Sequence, residues 1–410
     1  MGRCNIFSLH RHEIRSFIIN KTPNLKMKKK TVLILCPWYD PYRIPLLREL
    51  AHDFEITVLY TMPKEIGREW QPPDNLPFPA YFLPPIFLWK TKQMFGQHLL
   101  IRYPAGLVQM LMNISPDLVV GLEFRFDCII GALWAHLHGR SYVTWSDMTS
   151  YHDIRMGILR RTNRKFMLSL SHALIGSCTD TLNHFRDNFG YPRSKSFLSS
   201  LSAHIQEYMT TADLGQKTNR KNDGQVRFVY VGELTPRKGV DLLVRAFAQL
   251  LAKVPDAVLT LVGKGEEMEA LKILAKTLGC ENAVIFQGSI PYESVPREMV
   301  CHDVFVLPTR LDVFGLVVAE AVACGLPIIC SCYAGVANDL VKKNGLIVDP
   351  KNLAEMAEAM EKMARNPQMR LQMAEAGKLL LEKNDLKAGV TGYTAALQLA
   401  SQSARRAGKQ

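Results

Sequence analysis

The chain alternates two kinds of apolar pattern. Short continuous runs rich in β-branched residues, bounded by turn residues, alternate with segments in which apolar residues return every three or four positions. In the first half the runs at Thr31 to Cys36, Glu55 to Tyr60, Leu118 to Gly121, Ser141 to Trp145 and Ala173 to Gly176 predict strands, with helices such as Ile44 to Ala51 between them. A polar stretch without apolar period, from Thr210 to Gln225, then reads as a linker. The alternation restarts with strands at Val226 to Val231, Ala257 to Val262, Ala283 to Gln287, Val304 to Leu307, Ile328 to Cys330 and Leu346 to Val348. Helices fill the gaps, notably Val240 to Lys253, Glu267 to Leu278 and Val317 to Ala323.

Continuous apolar strands joined through helices are the mark of parallel sheets covered on both faces. Two such series predict two Rossmann-like, doubly wound α/β domains facing a central cleft, with ligand at the carboxyl ends of the strands. The expected division is an N-terminal extension over residues 1–27, a first domain over 28–209, the linker over 210–225, a second domain over 226–385, and a C-terminal helix with a basic tail over 386–410. Two domains also fit the 410 residues and 48% apolar content, which exceed what one core usually supports.

The nine cysteines are odd in number, sit mainly in apolar runs and lack paired metal-site spacing. They read as buried thiols in a reducing compartment, without disulfides or zinc. No run of apolar residues is long enough to span a membrane, and the N-terminus mixes His, Arg and Glu through its apolar positions, unlike a signal peptide. A cytoplasmic protein is expected, with Met27 a natural-looking start. The net charge of +12 is uneven, since residues 1–213 hold 25 Lys and Arg against 17 Asp and Glu while the remainder holds 25 against 21. Such a field attracts nucleic acid, anionic lipid or phosphorylated substrates alike.

The densest chemistry lies in VLPTRLDVFGLVVAEAVACGLPII, which begins at Val306. A strand runs into a loop bearing Asp312, and a Phe-Gly turn then opens a helix that carries Glu320 eight residues after Asp312. The helix start at Gly315, Leu316 and Val317 offers free N–H groups and partial positive charge to a phosphate. Gly315 lets the backbone come close. Glu320 can accept two hydroxyl hydrogen bonds, as a ribose offers, and Asp312 can hold hydroxyls of a sugar beyond the phosphate.

This segment resembles the E-x7-E signature of retaining GT-B glycosyltransferases, in particular glycosyltransferase family 4. Three further segments match in order: VGELTPRKGVD from Val231 to Asp241, LVGKG from Leu261 to Gly265, and Ala334-Gly335 through Asn344 to Pro350. The resemblance covers residues 226–350 and implies a GT-B fold and transfer of a sugar from a nucleotide-sugar donor to an acceptor hydroxyl with retention. It implies Lys238 as the phosphate ligand, with Arg237 and Asp312 beside it at the reacting centre. Glu320, Gly315, Leu316, Val317, Gly263 and Gly265 would hold the donor. Asn338 and Asp339 sit where the family often places a donor-site acid, or they cap the following helix.

Four departures stand out. Asp312 replaces the usual Glu, keeping the charge at shorter reach. Glu233 replaces a phosphate-binding Arg, which shifts that load to Arg237 or Lys238. The loop after the first strand, CPWYDPYRIP, lacks the usual glycines. Ser146 stands where a histidine often sits, with His152 and Asp153 close by. Tyr39, Arg43, Ser146 and Asp147 follow first-domain strands and are the acceptor-side candidates.

The chain contains no D-x-D motif, so no metal or other cofactor is needed to explain leaving-group binding. The rival readings are a GT-B sugar-nucleotide epimerase and a non-catalytic nucleotide-sugar-binding protein. The lack of a G-x-G-x-x-G fingerprint argues against a dehydrogenase, and nucleic-acid binding has no motif beyond charge. The acceptor is expected to be a sugar or lipid-linked, in cell-surface polysaccharide or glycolipid synthesis. Peripheral contact with the inner face of an anionic membrane is suggested by Arg155 to Lys165, which has five basic residues and no acid. The aromatic stretch Pro77 to Trp89 is expected as a Pro-broken loop that dips into that interface, closes over an apolar acceptor or packs within the domain.

Overall fold

The computed structural model describes residues 29–62, 73, 75–92, 98–153, 156–200, 205, 208–210, 224–383 and 386–407. The N-terminal extension, most of the linker and Arg155 lie outside the described residues. In the first domain the strands are β1 (Thr31–Cys36), β2 (Glu55–Tyr60), β3 (Ala80–Phe82), β4 (Pro85–Lys92), β5 (His98–Pro104), β6 (Leu118–Leu122), β7 (Ser141–Ser146), β8 (Ala173–Gly176) and β9 (Ser196–Leu198). Its helices are α1 (Ile44–Leu50), α2 (Leu107–Ile114), α3 (Phe126–Leu137), α4 (Ile158–Leu170) and α5 (Thr179–Phe189). Seven strands form a parallel sheet in the order β3-β2-β1-β6-β7-β8-β9, and β4 pairs with β5 as a separate antiparallel hairpin.

The sheet is buried on both faces, which is why its strands read as unbroken apolar runs. Val32, Ile34 and Cys36 point to the side covered by α1. Leu33, Leu35, Val119 and Tyr142 point to the other side, which is covered by α2, α3 and Met167 of α4.

The second domain has β10 (Arg227–Val231), β11 (Val258–Val262), β12 (Val284–Gly288), β13 (Val304–Leu307), β14 (Ile328–Ser331) and β15 (Gly345–Val348). They form a parallel sheet in the order β12-β11-β10-β13-β14-β15. The helices are α6 (Val240–Leu251), α7 (Met268–Thr277), α8 (Val295–Met299), α9 (Leu316–Ala323), α10 (Ala337–Leu340), α11 (Leu353–Arg365), α12 (Pro367–Lys383) and α13 (Leu386–Ala407).

The last helix returns to the first domain. Tyr393 of α13 meets Trp145 edge to face, and Ser141 and Ser199 donate to the carbonyls of Ala400 and Gly389. The approach depends on Gly392, whose added Cβ would lie 1.8 Å from the Leu198 carbonyl oxygen. A side chain there would push the helix off the sheet.

Two expectations need correction. The aromatic stretch is not a loop: Ala80–Phe82 adds to the main sheet and Pro85–Lys92 is one arm of the hairpin. The period-based reading missed both because Pro77, Pro79, Pro84 and Pro85 break the stretch, and prolines mark turns as readily as strand starts. The basic run is also not uniformly a surface. Arg164 is buried at 7% exposure, ion-paired with Asp153 and set 5.3 Å over the Phe124 ring. His184 shares the same carboxylate at 2.8 Å, and burial pushes its pKa down to about 4, so Arg164 is the counter-charge for Asp153.

Arg164→Gln should therefore cost about 3 to 5 kcal/mol, the usual penalty for stranding one member of a buried pair. Arg160→Gln, on the exposed side of the same helix, should stay within about 0.5 kcal/mol. Urea unfolding of both variants checks this, and equal midpoints would remove Arg164 from the core.

Candidate active site

The two sheets turn their carboxyl edges toward each other, and the loops leaving those edges enclose a cleft of about 430 Å³. In each sheet the chain leaves one strand for one side and the neighbouring strand for the other, at β1/β6 and at β10/β13. The cleft sits at these switch points, where diverging loops leave room for a ligand. Its first-domain wall is built from Trp38, Asp40, Tyr42, Arg43 and Asp147. On the second-domain side, Gly232, Glu233, Lys238, Asp312, Gly315 and Glu320 face them.

The floor of that second wall is an ion pair. Lys238 follows β10, Asp312 follows β13, and Nζ lies 2.6 Å from Oδ2 with both side chains largely shielded from solvent. Burial would push the Asp312 carboxyl up, but Lys238 and Arg237 overcome this and hold it below the usual carboxylate range. Lys238 and Asp312 thus come together as expected, but Lys238 is already neutralised by Asp312. Arg237 is turned aside, with Nη1 donating to the Leu311 carbonyl at 3.1 Å. It does not itself line the cleft, and it reaches the site through an ion pair of 4.0 Å with Glu233 and through its field on Asp312.

Gly315 caps α9 with φ of 91°, a conformation that favours glycine. No side chain caps this helix, so the first amides, at Leu316 and Val317, face the cleft as expected. Glu320 is buried one turn further in and accepts a hydrogen bond from the Tyr292 hydroxyl at 2.9 Å. Burial raises its pKa to about 7 against the opposing help of Tyr292 and Tyr208.

Gly263 and Gly265 occupy a deeper layer. A Cβ on Gly263 would lie 1.9 Å from the Gly232 carbonyl oxygen, and one on Gly265 would lie 2.2 Å from that of Leu234. They support the loop that lines the cleft and are not among the residues lining it. Asp339 is likewise committed elsewhere, accepting from the Thr179 backbone N–H at the start of α5 at 2.7 Å, across the domain boundary.

In the first domain, Arg43 is buried, bonds Asp40 and Asp147, and lies 4.3 Å over the Trp145 ring. Asp147 lines the cleft, but Tyr39 is packed edge-on against Tyr60 in the core. Ser146 is fully buried and donates to Glu123, so neither Tyr39 nor Ser146 is an acceptor contact. His152 bonds Thr149 at 2.9 Å, and burial lowers its pKa to about 4 even with Asp312 pulling it up, so it is neutral at physiological pH.

Sequence reasoning missed Trp38, Tyr42, Tyr208 and Tyr292 as lining residues. Trp38 and Tyr42 lay in a loop already picked out, but the 3-10 turn Pro41–Arg43 decides which aromatic faces outward. Tyr208 and Tyr292 come from segments without a motif.

Two parallel, doubly wound domains opposed across such a cleft define the GT-B architecture. HepE of Anabaena, solved in complex with UDP, superposes with a TM-score of 0.69 at 17% identity, covering 90% of this chain and all of that one. WaaG, a glycosyltransferase involved in lipopolysaccharide biosynthesis, gives a TM-score of 0.59 over 89% of this chain and 98% of its own. These likenesses concern the fold.

Residues 213–380 of the 410 match the family described as glycosyl transferases group 1, so the likeness to that family rests on this segment. It is 35% identical over 158 residues to the GDP-mannose-dependent alpha-(1-6)-phosphatidylinositol monomannoside mannosyltransferase of Mycolicibacterium smegmatis, covering 37% of this chain and 41% of that protein. An uncharacterized glycosyltransferase of Haemophilus influenzae is 38% identical over 160 residues, 37% of this chain and 43% of that one. The match thus spans less than half the length of these two curated relatives.

The raised pKa of Glu320 has a pH signature. Between about pH 4.5 and 7 the unfolded chain has lost a proton that the folded chain still holds, so stability falls as pH rises through that window. Glu320→Gln has no such loss and should gain up to about 3 kcal/mol relative to wild type between pH 4.5 and pH 8. Parallel stability curves in urea unfolding would mean that the carboxyl is not buried as described.

Proposed function

We propose that the chain is an enzyme that transfers a sugar from a nucleoside-diphosphate sugar to an acceptor hydroxyl, with retention of configuration. The observation that carries this reading is the convergence of Lys238, Asp312, the α9 amides and Glu320 on one side of a single interdomain cleft. The diphosphate would lie at the α9 N-terminus, where the amides and Lys238 offset the charge that develops as it leaves. A ribose would bond Glu320, and the sugar would reach Asp312. No metal is assigned a part in this charge balance.

The acceptor would enter from the first-domain wall. Trp38 offers a flat apolar face to a sugar ring, and Asp40 and Asp147 offer acceptors for its hydroxyls. The names of the relatives, a phosphatidylinositol mannoside mannosyltransferase and a lipopolysaccharide glycosyltransferase, favour a sugar or lipid-linked acceptor in glycolipid or polysaccharide synthesis. With a lipid-linked acceptor, the chain would work at the inner face of a membrane. GDP-mannose and UDP-glucose are the donors to try first, because relatives act on or were solved with them.

The test is release of nucleoside diphosphate from these donors with and without a glycolipid acceptor, followed by NMR of the product's anomeric centre. An inverted anomer would overturn retention, and no release from any donor would overturn transfer. Lys238→Ala should lower kcat at least tenfold, equivalent to about 1.4 kcal/mol of transition-state stabilisation, while the KM for donor changes less. A kcat within about twofold of wild type would take the leaving-group role from Lys238.

A further inference from the structure

One layer of the first domain has a surface that the transfer reaction does not use. Helices α2, α3 and α4 pack side by side on the same face of the sheet, and their outward sides are unusually apolar. Ile158 and Leu159 are 84% and 87% exposed in the first turn of α4, and Leu137 is 78% exposed at the end of α3. Phe126 and Leu133 continue the stripe along α3, and Val108 and Met112 continue it on α2.

Charge on this layer is one-sided. The three helices contain a single acid, Asp127, which is buried and bonded to Arg125. Arg160, Arg161 and Lys165 are exposed beside Ile158 and Leu159, whereas Arg164 points inward. On neighbouring α5 the exposed Asp187 is paired with Arg186.

Direction links this layer to the cleft. α3 connects β6 to β7 and α4 connects β7 to β8, and all three strands are parallel. Both helices therefore begin at the carboxyl edge of the sheet, the edge that opens on the cleft. Phe126, Ile158 and Leu159 sit at those beginnings.

We propose that the α2–α3–α4 layer is a docking face for an anionic lipid bilayer, with Ile158 and Leu159 entering the interface and Arg160, Arg161 and Lys165 meeting lipid phosphates. This deepens the membrane-proximal part of the reading above, but it stands on a surface separate from the donor site. A solvated protein surface gains nothing from large aliphatic side chains at this exposure, and a predominantly basic surround is complementary to an anionic headgroup layer. Peripheral contact suffices, since no helix among the described residues is long and apolar enough to cross a membrane.

The test is co-sedimentation of the full chain with vesicles of phosphatidylcholine and phosphatidylglycerol at a ratio of about two to one, and with phosphatidylcholine alone, at low and high salt. Wild type should bind the anionic vesicles and be released by salt. Each basic residue near such a surface raises partitioning about fivefold, so the triple variant Arg160→Gln, Arg161→Gln, Lys165→Gln should partition about 100-fold less. The double variant Ile158→Ser, Leu159→Ser should lose at least tenfold while keeping the wild-type urea midpoint.

Equal partitioning of wild type and both variants, or no binding to anionic vesicles at low salt, would overturn the proposal. So would wild type that self-associates through this face in sedimentation equilibrium and does so less in the double variant, because the occupant would then be a second copy. A thermal shift with nucleotide sugar, run on the same samples, separates the two readings. Vesicle binding without any nucleotide-sugar shift would count against the transferase and leave the docking face in place.

Discussion

Lys238 and Asp312 come from loops that follow adjacent strands, and their ion pair ties those loops into one wall of the cleft. The two loops are locked together around it. Arg310 N–H and the Thr309 hydroxyl both donate to the Arg237 carbonyl, and Arg310 forks onto Asp241 with two bonds of 2.7 Å. Gly239 sits so close to Pro308 that a Cβ would lie 2.3 Å from its carbonyl oxygen. A charge held this firmly needs little reorganisation when a ligand's charge appears beside it, which is the condition for electrostatic stabilisation.

On the proposed reading, the same pair would shape how the cleft treats a diphosphate. Glu233 lines the cleft at the position where the sequence resemblance implies an arginine, and Arg237 donates to the Leu311 carbonyl. Donor charge would on that reading be left to Lys238 and the amides of α9, with Lys238 already shared with Asp312. A phosphate arriving at Lys238 would accept from another of its three ammonium N–H groups, while Asp312 keeps its second oxygen for a hydroxyl. Coupling of this kind would link leaving-group contact to sugar positioning through a single lysine.

Relative placement of the domains rests on contacts distant in the chain. α13 lies across β7, β8 and β9, held by Tyr393, Ser141 and Ser199, and Asp339 of the second domain accepts from the first α5 amide, at Thr179. A helix N-terminus attracts negative charge, so the Asp339 contact is favourable whenever the domains are in this arrangement. The acid after the Ala-Gly turn thus commits one carboxylate oxygen to the first domain.

What the sequence determined by itself is local or periodic. Parallel strands buried on both faces must be apolar throughout, so β1, β2, β8 and β13 were legible with their exact bounds, and the glycine-opened helix with Glu320 was legible because its spacing carries the chemistry. Only the tertiary structure decided which side chain of a loop or edge faces what. It turned Tyr39 inward and Trp38 outward, buried Arg164 in a basic run, set Gly263 and Gly265 beneath the cleft loop, and brought Tyr208 and Tyr292 to Glu320. Those outcomes depend on contacts between residues far apart in the chain, and one-dimensional spacing carries no record of them.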